Sequence, residues 1–333
     1  MAIKIIDVFD PRIYNTIAAF YVIIMLTTII INGIVILTFY KMRSILCSPA
    51  SIPILSLALA DFTLAVTAMP FGVAANASRS WYFGQSGCKW YAFTHSVVGL
   101  SSILHHAVIA VEKCRKILKP LSTPIDKQGI VTITLAVWGI CITWGILPLL
   151  GWSSYEREGS GAVCSIKWES THPADTWYVI FTFVWFVFVP LIVIVASYAA
   201  ISHELRKMAQ KAKKEWGPNA LFTKHHVVAR KKSMRTGLMM FLATFCVWIP
   251  YAVLSIMSAV GNPEDISSLA FAIAALITKT SAFINPIICF FWYTAYREKV
   301  KKVFGIHSPW EGNKVHVSCI SLFRRHGCRI VPA

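Results

Sequence analysis

Charged residues are scarce in this sequence, and acidic residues are the scarcest of them. Charged side chains make up only 14% of the 333 residues, and 15 Asp and Glu stand against 32 Lys and Arg. Soluble domains carry about 25% charged residues, so this composition, with its mean hydropathy of +0.61, excludes an ordinary soluble protein. The chain is therefore expected to lie in a membrane.

Seven long stretches with almost no charge account for the apolar composition. A membrane-spanning helix needs about 20 mostly apolar residues. The seven stretches lie near residues 16–40, 51–75, 85–111, 129–151, 176–202, 233–258 and 266–292. No internal repeat relates them, which argues against the inverted-repeat plan of many transporters. The sequence predicts an all-α fold, a bundle of seven transmembrane helices.

The formal net charge of +17 is concentrated in alternate connecting segments. Positive residues stay on the cytoplasmic side of a membrane, so the pattern predicts an N-terminus outside and a C-terminal tail inside. This distribution suits an anionic inner leaflet. It excludes a nucleic-acid groove, which needs its basic residues on one continuous face.

The same patterns divide the chain into four parts. Residues 1–15 form an extracellular segment, and residues 16–293 form the membrane-spanning domain. In residues 294–305, cations alternate with apolar residues at helical spacing, which predicts a short amphipathic helix on the inner leaflet. Residues 306–333 form a cytoplasmic tail. Its Cys319 and Cys328 are candidates either for palmitoylation or for free thiols.

Lys279 is the only Lys or Arg deep inside one of the long apolar stretches, since Lys89 and Arg235 lie near the ends of theirs. A charge at that depth is costly, so an intramembrane lysine indicates a functional site. The cost disappears if the amine is deprotonated, paired with an acid, or bound covalently as a Schiff base. A lysine that reaches to the interface is the alternative. It fits poorly, because Asn285-Pro286 and more apolar residues follow before the next cation, Arg297.

Two of the nine cysteines face the outer compartment in this topology. Cys88 opens the third apolar stretch on the outside, and Cys164 lies in the long outer loop that follows the fourth. Disulfides form in oxidising compartments, so the sequence predicts a Cys88–Cys164 bridge.

An ordered set of motifs resembles the rhodopsin-like G-protein-coupled receptors over roughly residues 16–305. The motifs are Asn32-Gly33, Leu59-Ala60-Asp61, Cys88, Trp138, Pro190, Tyr198, Trp248-Ile249-Pro250-Tyr251 and Asn285-Pro286. Within that family, Lys279-Thr280-Ser281, six residues before Asn285-Pro286, is similar to the opsins. The amino-acid sequence of the outer loop around Cys164 resembles ciliary-type and cnidarian opsins more than insect visual opsins.

The resemblance implies that Lys279 binds retinal as a Schiff base, 11-cis in the dark and all-trans after light. Visual opsins of vertebrates carry a glutamate three residues after the third-span cysteine, and this chain has Tyr91 there. The resemblance to invertebrate and bistable opsins instead implies Glu158, six residues before Cys164, as the counterion. Glu156 is its competitor.

Other site residues follow from spacing and from the resemblance. Tyr91 and His95 are four residues apart on one helical face, and His95 either tunes the proton affinity of the Schiff base or packs as a neutral histidine. Trp248 and Tyr251 contact retinal by resemblance. The resemblance also implies a hydrated polar cluster of Asn32, Asp61 and Asn285. His105-His106 are interpreted as packing residues or as interhelical hydrogen-bond partners.

The cytoplasmic motifs depart from the family pattern. The family's acid-Arg-Tyr sequence at the end of span three is here Glu112-Lys113-Cys114, and lysine lacks the planar fork of arginine. Cys289 follows Asn285-Pro286 where the family has a tyrosine that acts with Tyr198. Arg230 replaces an acid at the start of span six. These changes leave the signalling switch altered while the retinal site stays intact.

The first functional hypothesis is a light-activated, bistable receptor in the plasma or ciliary membrane, not an enzyme. Its partner is a heterotrimeric G protein of the inhibitory, Go-like or stimulatory class, with arrestin as a further candidate. The alternative is a retinal photoisomerase, and a third hypothesis is a ligand-gated receptor that kept the lysine. An ion pump of the microbial type is disfavoured, because span three lacks the acids of a proton relay. The sequence predicts no metal site.

Overall fold

The computed structural model describes the chain in nine segments, and everything below concerns them. The segments are residues 9–42, 51–118, 126–158, 161–168, 170, 172–216, 221–260, 266–292 and 294–305. Residues 1–8 and the predicted tail, with Cys319 and Cys328, lie outside the described residues, and so does the side chain of Arg230.

The described residues form α-helices and one short hairpin. The first helices are α1 (Pro11–Lys41), α2 (Ser51–Thr67), α3 (Met69–Ala77), α4 (Gly84–Leu118) and α5 (Lys127–Ile146). The later ones are α6 (Pro173–Phe183), α7 (Val189–Trp216), α8 (Leu221–Val260), α9 (Ser268–Lys279), α10 (Ser281–Trp292) and α11 (Thr294–Val303). Strands β1 (Tyr155–Arg157) and β2 (Cys164–Ile166) lie between α5 and α6.

Seven helical segments of the described chain are long and apolar enough to cross a membrane. Four of them are continuous helices, α1, α4, α5 and α8. The second span combines α2 with α3, the fifth combines α6 with α7 through a π-helical turn, and the seventh combines α9 with α10. The predicted all-α, seven-span fold is therefore confirmed, and the chain is a multi-pass membrane protein.

Local sequence signals explain where the helices begin. Asp10 accepts a hydrogen bond from the Arg12 amide at 2.7 Å, and Pro11 occupies the first helical turn. This pairing of a capping acid with an early proline is a strong start signal, and it begins α1 five residues before the sequence-based estimate of residue 16. Asp126 caps α5 in the same way, through the Gly129 amide at 2.8 Å.

Prolines affect the backbone of two of the divided spans. The second span breaks at Ala68, directly before Met69-Pro70 at the start of α3. In the seventh span, Pro286 lies inside α10 and cannot donate to the carbonyl of Ala282, four residues earlier. Asn32 Nδ2 donates to that carbonyl at 2.9 Å. A neighbouring helix thus satisfies the freed group, as a membrane interior requires.

Helix α4 lies at the centre of the bundle and packs against α2, α5, α7 and α8. It also contacts both strands of the hairpin. The Cys88–Cys164 disulfide is present and ties α4 to β2, with the two Cα atoms 5.4 Å apart. After the seventh span, α11 packs Tyr296 and Val300 against the bundle, in the region predicted to be amphipathic.

We expect the Cys88–Cys164 bridge to contribute strongly to stability, because it closes a loop across 76 residues. Chain-entropy arguments give a loss of about 4 kcal/mol on removing such a bridge. The Cys88→Ser variant should therefore melt at a clearly lower temperature in a thermal-shift measurement on purified protein. Cys246→Ser, which changes an exposed free cysteine, is the matched control. Equal melting temperatures for Cys88→Ser and wild type would contradict the expectation.

Candidate functional site

A cavity of about 280 Å³ opens in the bundle beneath the hairpin. Side chains from α1, α2, α4 and α6 to α10 line it, together with residues of β2. Most of the lining is apolar, as in Phe183, Val187 and Leu191. Ligand sites are typically mostly apolar with a few placed polar groups, and the polar groups here are concentrated around one lysine.

Lys279 lines this cavity at the last residue of α9. The helix breaks directly after it, where the Thr280 amide bonds to the Ile277 carbonyl at 3.0 Å. The Ser281 hydroxyl donates to the Thr278 carbonyl at 2.7 Å. The two hydroxyl residues after the lysine therefore satisfy carbonyls that the break leaves free, so the chain can break at this point inside the bundle.

Tyr91 is the aromatic neighbour of Lys279. The lysine Nζ lies 5.8 Å from the centre of the Tyr91 ring, within the range of a cation–π contact. The Tyr91 hydroxyl is hydrogen-bonded to that of Tyr21 at 3.0 Å. Both phenols are buried and line the cavity. Tyr91 thus offers Lys279 a polarisable face without a negative charge.

Glu158 and Glu156 occupy different environments although they are two residues apart. Glu158 lines the cavity, interacts electrostatically with Lys279, and accepts a hydrogen bond from Tyr251 Oη at 2.5 Å. The side chain of Glu156 is 49% exposed, with an oxygen 3.3 Å from Lys167 Nζ. Of the two acids, only Glu158 is positioned to balance a charge at Lys279.

The hairpin is fastened over the cavity by several contacts. Its residues Tyr155 and Arg157 pair with Ile166 and Cys164, and the disulfide anchors Cys164. Tyr155 Oη donates to the Gly145 carbonyl at 2.8 Å. Burial raises the pKa of the Tyr155 phenol, which keeps it a neutral donor. The loop carrying Glu158 is therefore held in place from both sides.

The predicted aromatic residues of the sixth span both line the cavity. Tyr251 accepts a hydrogen bond from Trp168 Nε1 at 3.0 Å while it donates to Glu158. Trp248 Nε1 donates to Ser281 Oγ at 3.3 Å, next to the break after Lys279. These bonds connect α8 to the hairpin loop on one side and to α10 on the other.

Gly99 brings Trp248 against α4. A methyl group at this glycine would lie 2.7 Å from the Trp248 ring, closer than side chains pack. The glycine is thus needed for the indole to sit at the base of the cavity. Sequence reasoning missed this contact, because nothing marks Gly99 among the 17 glycines of the chain.

His95 also lines the cavity, one turn of α4 below Tyr91. Its Nδ1 is hydrogen-bonded to the Tyr91 carbonyl at 2.9 Å, and its ring packs against the Tyr91 ring, tilted by 35°, with centres 4.1 Å apart. Tyr91, His95, Trp248, Tyr251, Glu158 and Lys279 therefore all meet at one cavity, as the spacing and the resemblance led us to expect.

The predicted polar cluster lies below this cavity. Asn32, Asp61 and Asn285 line one small gap between α1, α2 and α10. Asn285 Oδ1 also accepts from Thr244 Oγ1 and lies 3.2 Å from His106 Nε2. His106 is thus an interhelical partner, whereas the ring of His105 packs 5.8 Å from that of Trp138.

The predicted switch residues are spread over the cytoplasmic half. Glu112 forms an ion pair with Lys116, one turn on in α4. A methyl group at Gly237 of α8 would approach both Lys113 and the Tyr198 hydroxyl, so these two side chains meet at that glycine. Cys289 contacts Met240 through their sulfurs at 3.5 Å. Cys114 is half-buried and packs near the cluster that contains Tyr198.

Three contacts at the site went unpredicted because they join residues far apart in the sequence. Tyr21 reaches Tyr91 from α1, Trp168 reaches Tyr251 from the outer loop, and His106 reaches Asn285 from α4. The second had a signal, since Trp168 follows Cys164 in the loop that should cover the cavity. The third had one in part, since His106 was interpreted as a packing residue or an interhelical hydrogen-bond partner, although Asn285 was not named.

Comparison with known proteins gives a consistent result. Residues 31–289 match the family described as 7 transmembrane receptor (rhodopsin family). The chain is 30% identical to melanopsin of Felis catus over 319 residues, covering 94% of this chain and 64% of that protein. It is 29% identical to melanopsin of Homo sapiens over 328 residues, covering 96% and 66%. It therefore spans just under two thirds of the length of these relatives.

A solved structure agrees with the sequence matches. The crystal structure of squid rhodopsin superposes with a TM-score of 0.82 at 25% identity, covering 90% of this chain and 87% of that one. These relatives do not test the ciliary-type or cnidarian subgroup, which stays a prediction.

Gly99→Ala should destabilise the protein, because the added methyl group would overlap the Trp248 ring. Overpacking of this kind costs about 1–3 kcal/mol. Gly139→Ala is the matched control, since a methyl group there meets open space and alanine favours a helix by up to about 1 kcal/mol. Melting temperatures of the purified variants should move in opposite directions. A Gly99→Ala melting temperature at or above that of wild type would refute the close approach.

Proposed function

Because the chain belongs to the rhodopsin-like seven-transmembrane receptor family, and within it to the opsins, we propose that it is a light sensor that binds retinal at Lys279. The observation that carries the proposal is a lysine inside an apolar cavity, with Glu158 as its carboxylate partner in that lining. Condensation of the Nζ amine with the aldehyde carbon forms a C=N bond and releases water.

The residues present fit such a ligand. A cavity of about 280 Å³ lined by Phe183, Val187 and Leu191 suits an apolar polyene. Lys279 would hold its aldehyde end, and Trp248 and Tyr251 would flank its chain. When bound, retinal supplies the photochemistry, in which light converts the 11-cis form to all-trans.

Glu158 is proposed as the counterion of the protonated Schiff base. A buried cation needs an opposite charge nearby, and Tyr91 replaces the acid that visual opsins carry on span three. Support comes from the short bond between Glu158 and Tyr251 and from the disulfide that anchors the loop. Tyr251 holds the carboxylate toward the cavity, and Trp168 holds Tyr251.

The signalling partner proposed for the cytoplasmic face is a heterotrimeric G protein. The family membership supports this class of partner, with arrestin as a further candidate, in a plasma or ciliary membrane with the N-terminus outside. Rearrangement near Trp248 would be passed on through Asn285 and the contact of Lys113 with Tyr198. These partners are proposed for the whole protein, because the melanopsins that the chain matches are longer than this chain.

A retinal photoisomerase is the second candidate function. Cys289 contacts Met240 by its sulfur where the family has a phenol, and lysine replaces arginine at Lys113. Both changes weaken the interactions that the family uses to hold an active state. An enzyme that takes all-trans-retinal and delivers the 11-cis isomer would not need that state.

The counterion assignment predicts a spectral difference between two neighbouring variants. Reconstituted with 11-cis-retinal, Glu158→Gln should lose the visible-absorbing protonated form at neutral pH, because its buried cation has no counter-charge. Glu156→Gln should keep it, since Glu156 is paired with Lys167 at the surface. Absorption spectra in the dark test this. Visible absorption retained in Glu158→Gln would reject Glu158 as the counterion.

Light should produce a thermally stable state that a second photon reverts, because the proposed counterion lies in a loop and Tyr91 carries no charge. Spectra before and after two successive illuminations measure this, with chromophore extraction at each step. Rapid bleaching with loss of all-trans-retinal would contradict it. A parallel G-protein activation assay separates the candidates: light-dependent nucleotide exchange favours the receptor, and steady release of 11-cis-retinal without exchange favours the photoisomerase.

A further inference from the structure

The hydrogen-bond partner of His95 fixes which ring nitrogen carries its proton. Nδ1 lies 2.9 Å from the backbone carbonyl of Tyr91. A carbonyl oxygen can only accept, so Nδ1 must be the donor. In the neutral ring the other nitrogen, Nε2, is then a bare acceptor. A charged ring would add an N–H without an acceptor and a second positive charge beside Lys279.

Nε2 of His95 is buried and has no hydrogen-bond partner among the described residues. A buried polar atom without a partner is uncommon and calls for an explanation. The His95 side chain lines the cavity together with Lys279. The unpartnered acceptor is thus placed at the wall of the proposed ligand site.

The Tyr91 ring lies next to both the His95 ring and Lys279 Nζ. The centre of the His95 ring lies 4.1 Å from the centre of the Tyr91 ring, with the two rings tilted, and Lys279 Nζ lies 5.8 Å from the centre of the Tyr91 ring. His95 and Lys279 also interact electrostatically. The titratable groups that face this region from the packed elements are Tyr91, Lys279, Glu158, Tyr21 and Tyr251.

The two other histidines of α4 show what is particular to His95. All three bond through Nδ1 to the carbonyl four residues earlier. Nε2 of His106 has Asn285 as its partner. His105 packs against Trp138, away from the cavity lining. His95 alone of the three combines an unpartnered Nε2 with a place in the lining next to Lys279.

We infer that Nε2 of His95 accepts the hydrogen bond of the protonated Schiff-base N–H, while Glu158 supplies the balancing charge. The inference rests on the proposed retinal linkage at Lys279. A protonated Schiff base has one N–H donor, and burying that donor without an acceptor is energetically costly. Tyr251 binds Oε1 of Glu158, and Nε2 of His95 is an acceptor in the lining that no described residue uses. His95 is therefore a positioning residue that stabilises the protonated form through a directed bond, in addition to the field of the carboxylate.

The test is an alkaline titration of the pigment formed with 11-cis-retinal. Hydrogen bonds to charged groups are worth enough to move a titration midpoint by roughly one to two pH units. His95→Leu, which removes the acceptor, should lower by about that much the pH at which half of the visible absorption is lost. His95→Gln, whose amide oxygen can replace Nε2 as an acceptor, should stay near wild type. His105→Leu is the control and should titrate as wild type.

A second measurement needs no pigment. Nitrogen-15 NMR of histidine-labelled apoprotein, with the His95 signals assigned by their loss in His95→Gln, reports directly which nitrogen is protonated. We expect a protonated Nδ1 and an unprotonated Nε2. A protonated Nε2 would overturn the inference, and this readout holds even where His95→Leu fails to fold.

The outcomes separate this inference from the proposed function. If the wild-type protein forms a pigment and the His95→Leu pigment has the same midpoint or a higher one, the proposed role of His95 is wrong. Retinal binding is not contradicted by that result. A wild-type protein that forms no pigment overturns both. A lowered midpoint in His95→Leu, together with a midpoint near wild type in His95→Gln, supports the inference.

Discussion

The burial of one lysine amine in an apolar bundle is the constraint on which the rest of the site depends. An ion in such a place must be neutralised, paired or covalently used. Two carboxylates, Asp61 and Glu158, are among the described residues that line the cavity, and the one that interacts electrostatically with Lys279 is Glu158. It comes from a loop, so the loop must be rigid, and the Cys88–Cys164 bridge with the bond from Tyr155 to Gly145 provides that rigidity.

A second constraint is that no backbone group can stay unsatisfied inside a membrane. The seventh span breaks after Lys279 and contains Pro286, and both features leave carbonyls without helical partners. Ser281 satisfies one of them, and Asn32 reaches the Ala282 carbonyl from α1. The helix irregularity that positions the lysine is therefore linked to the polar residues below it, and the cavity around Lys279 and the cytoplasmic half of the bundle share the seventh span.

Much of the fold and part of the site could be predicted from the sequence, because these features depend on local composition. The seven spans, the disulfide and the importance of Lys279 follow from apolar length, loop charge and the cost of a buried cation. The resemblance favoured Glu158 and kept Glu156 as its competitor, and the different surroundings of the two acids depend on how a three-residue strand is placed over the cavity. The bond of Tyr21 to Tyr91, and the choice of Asn285 as the partner of His106, could not be predicted, since each joins helices far apart in the chain.

The central claim is that Lys279 holds retinal covalently, and reductive trapping tests it most directly. Protein incubated with 11-cis-retinal in the dark is treated with borohydride, digested and analysed by mass spectrometry. A covalent linkage at Lys279 predicts a retinyl group on the peptide that contains Lys279 and no labelled peptide in Lys279→Ala. An unmodified Lys279 peptide, or equal labelling of other lysines, would show that Lys279 does not hold retinal specifically.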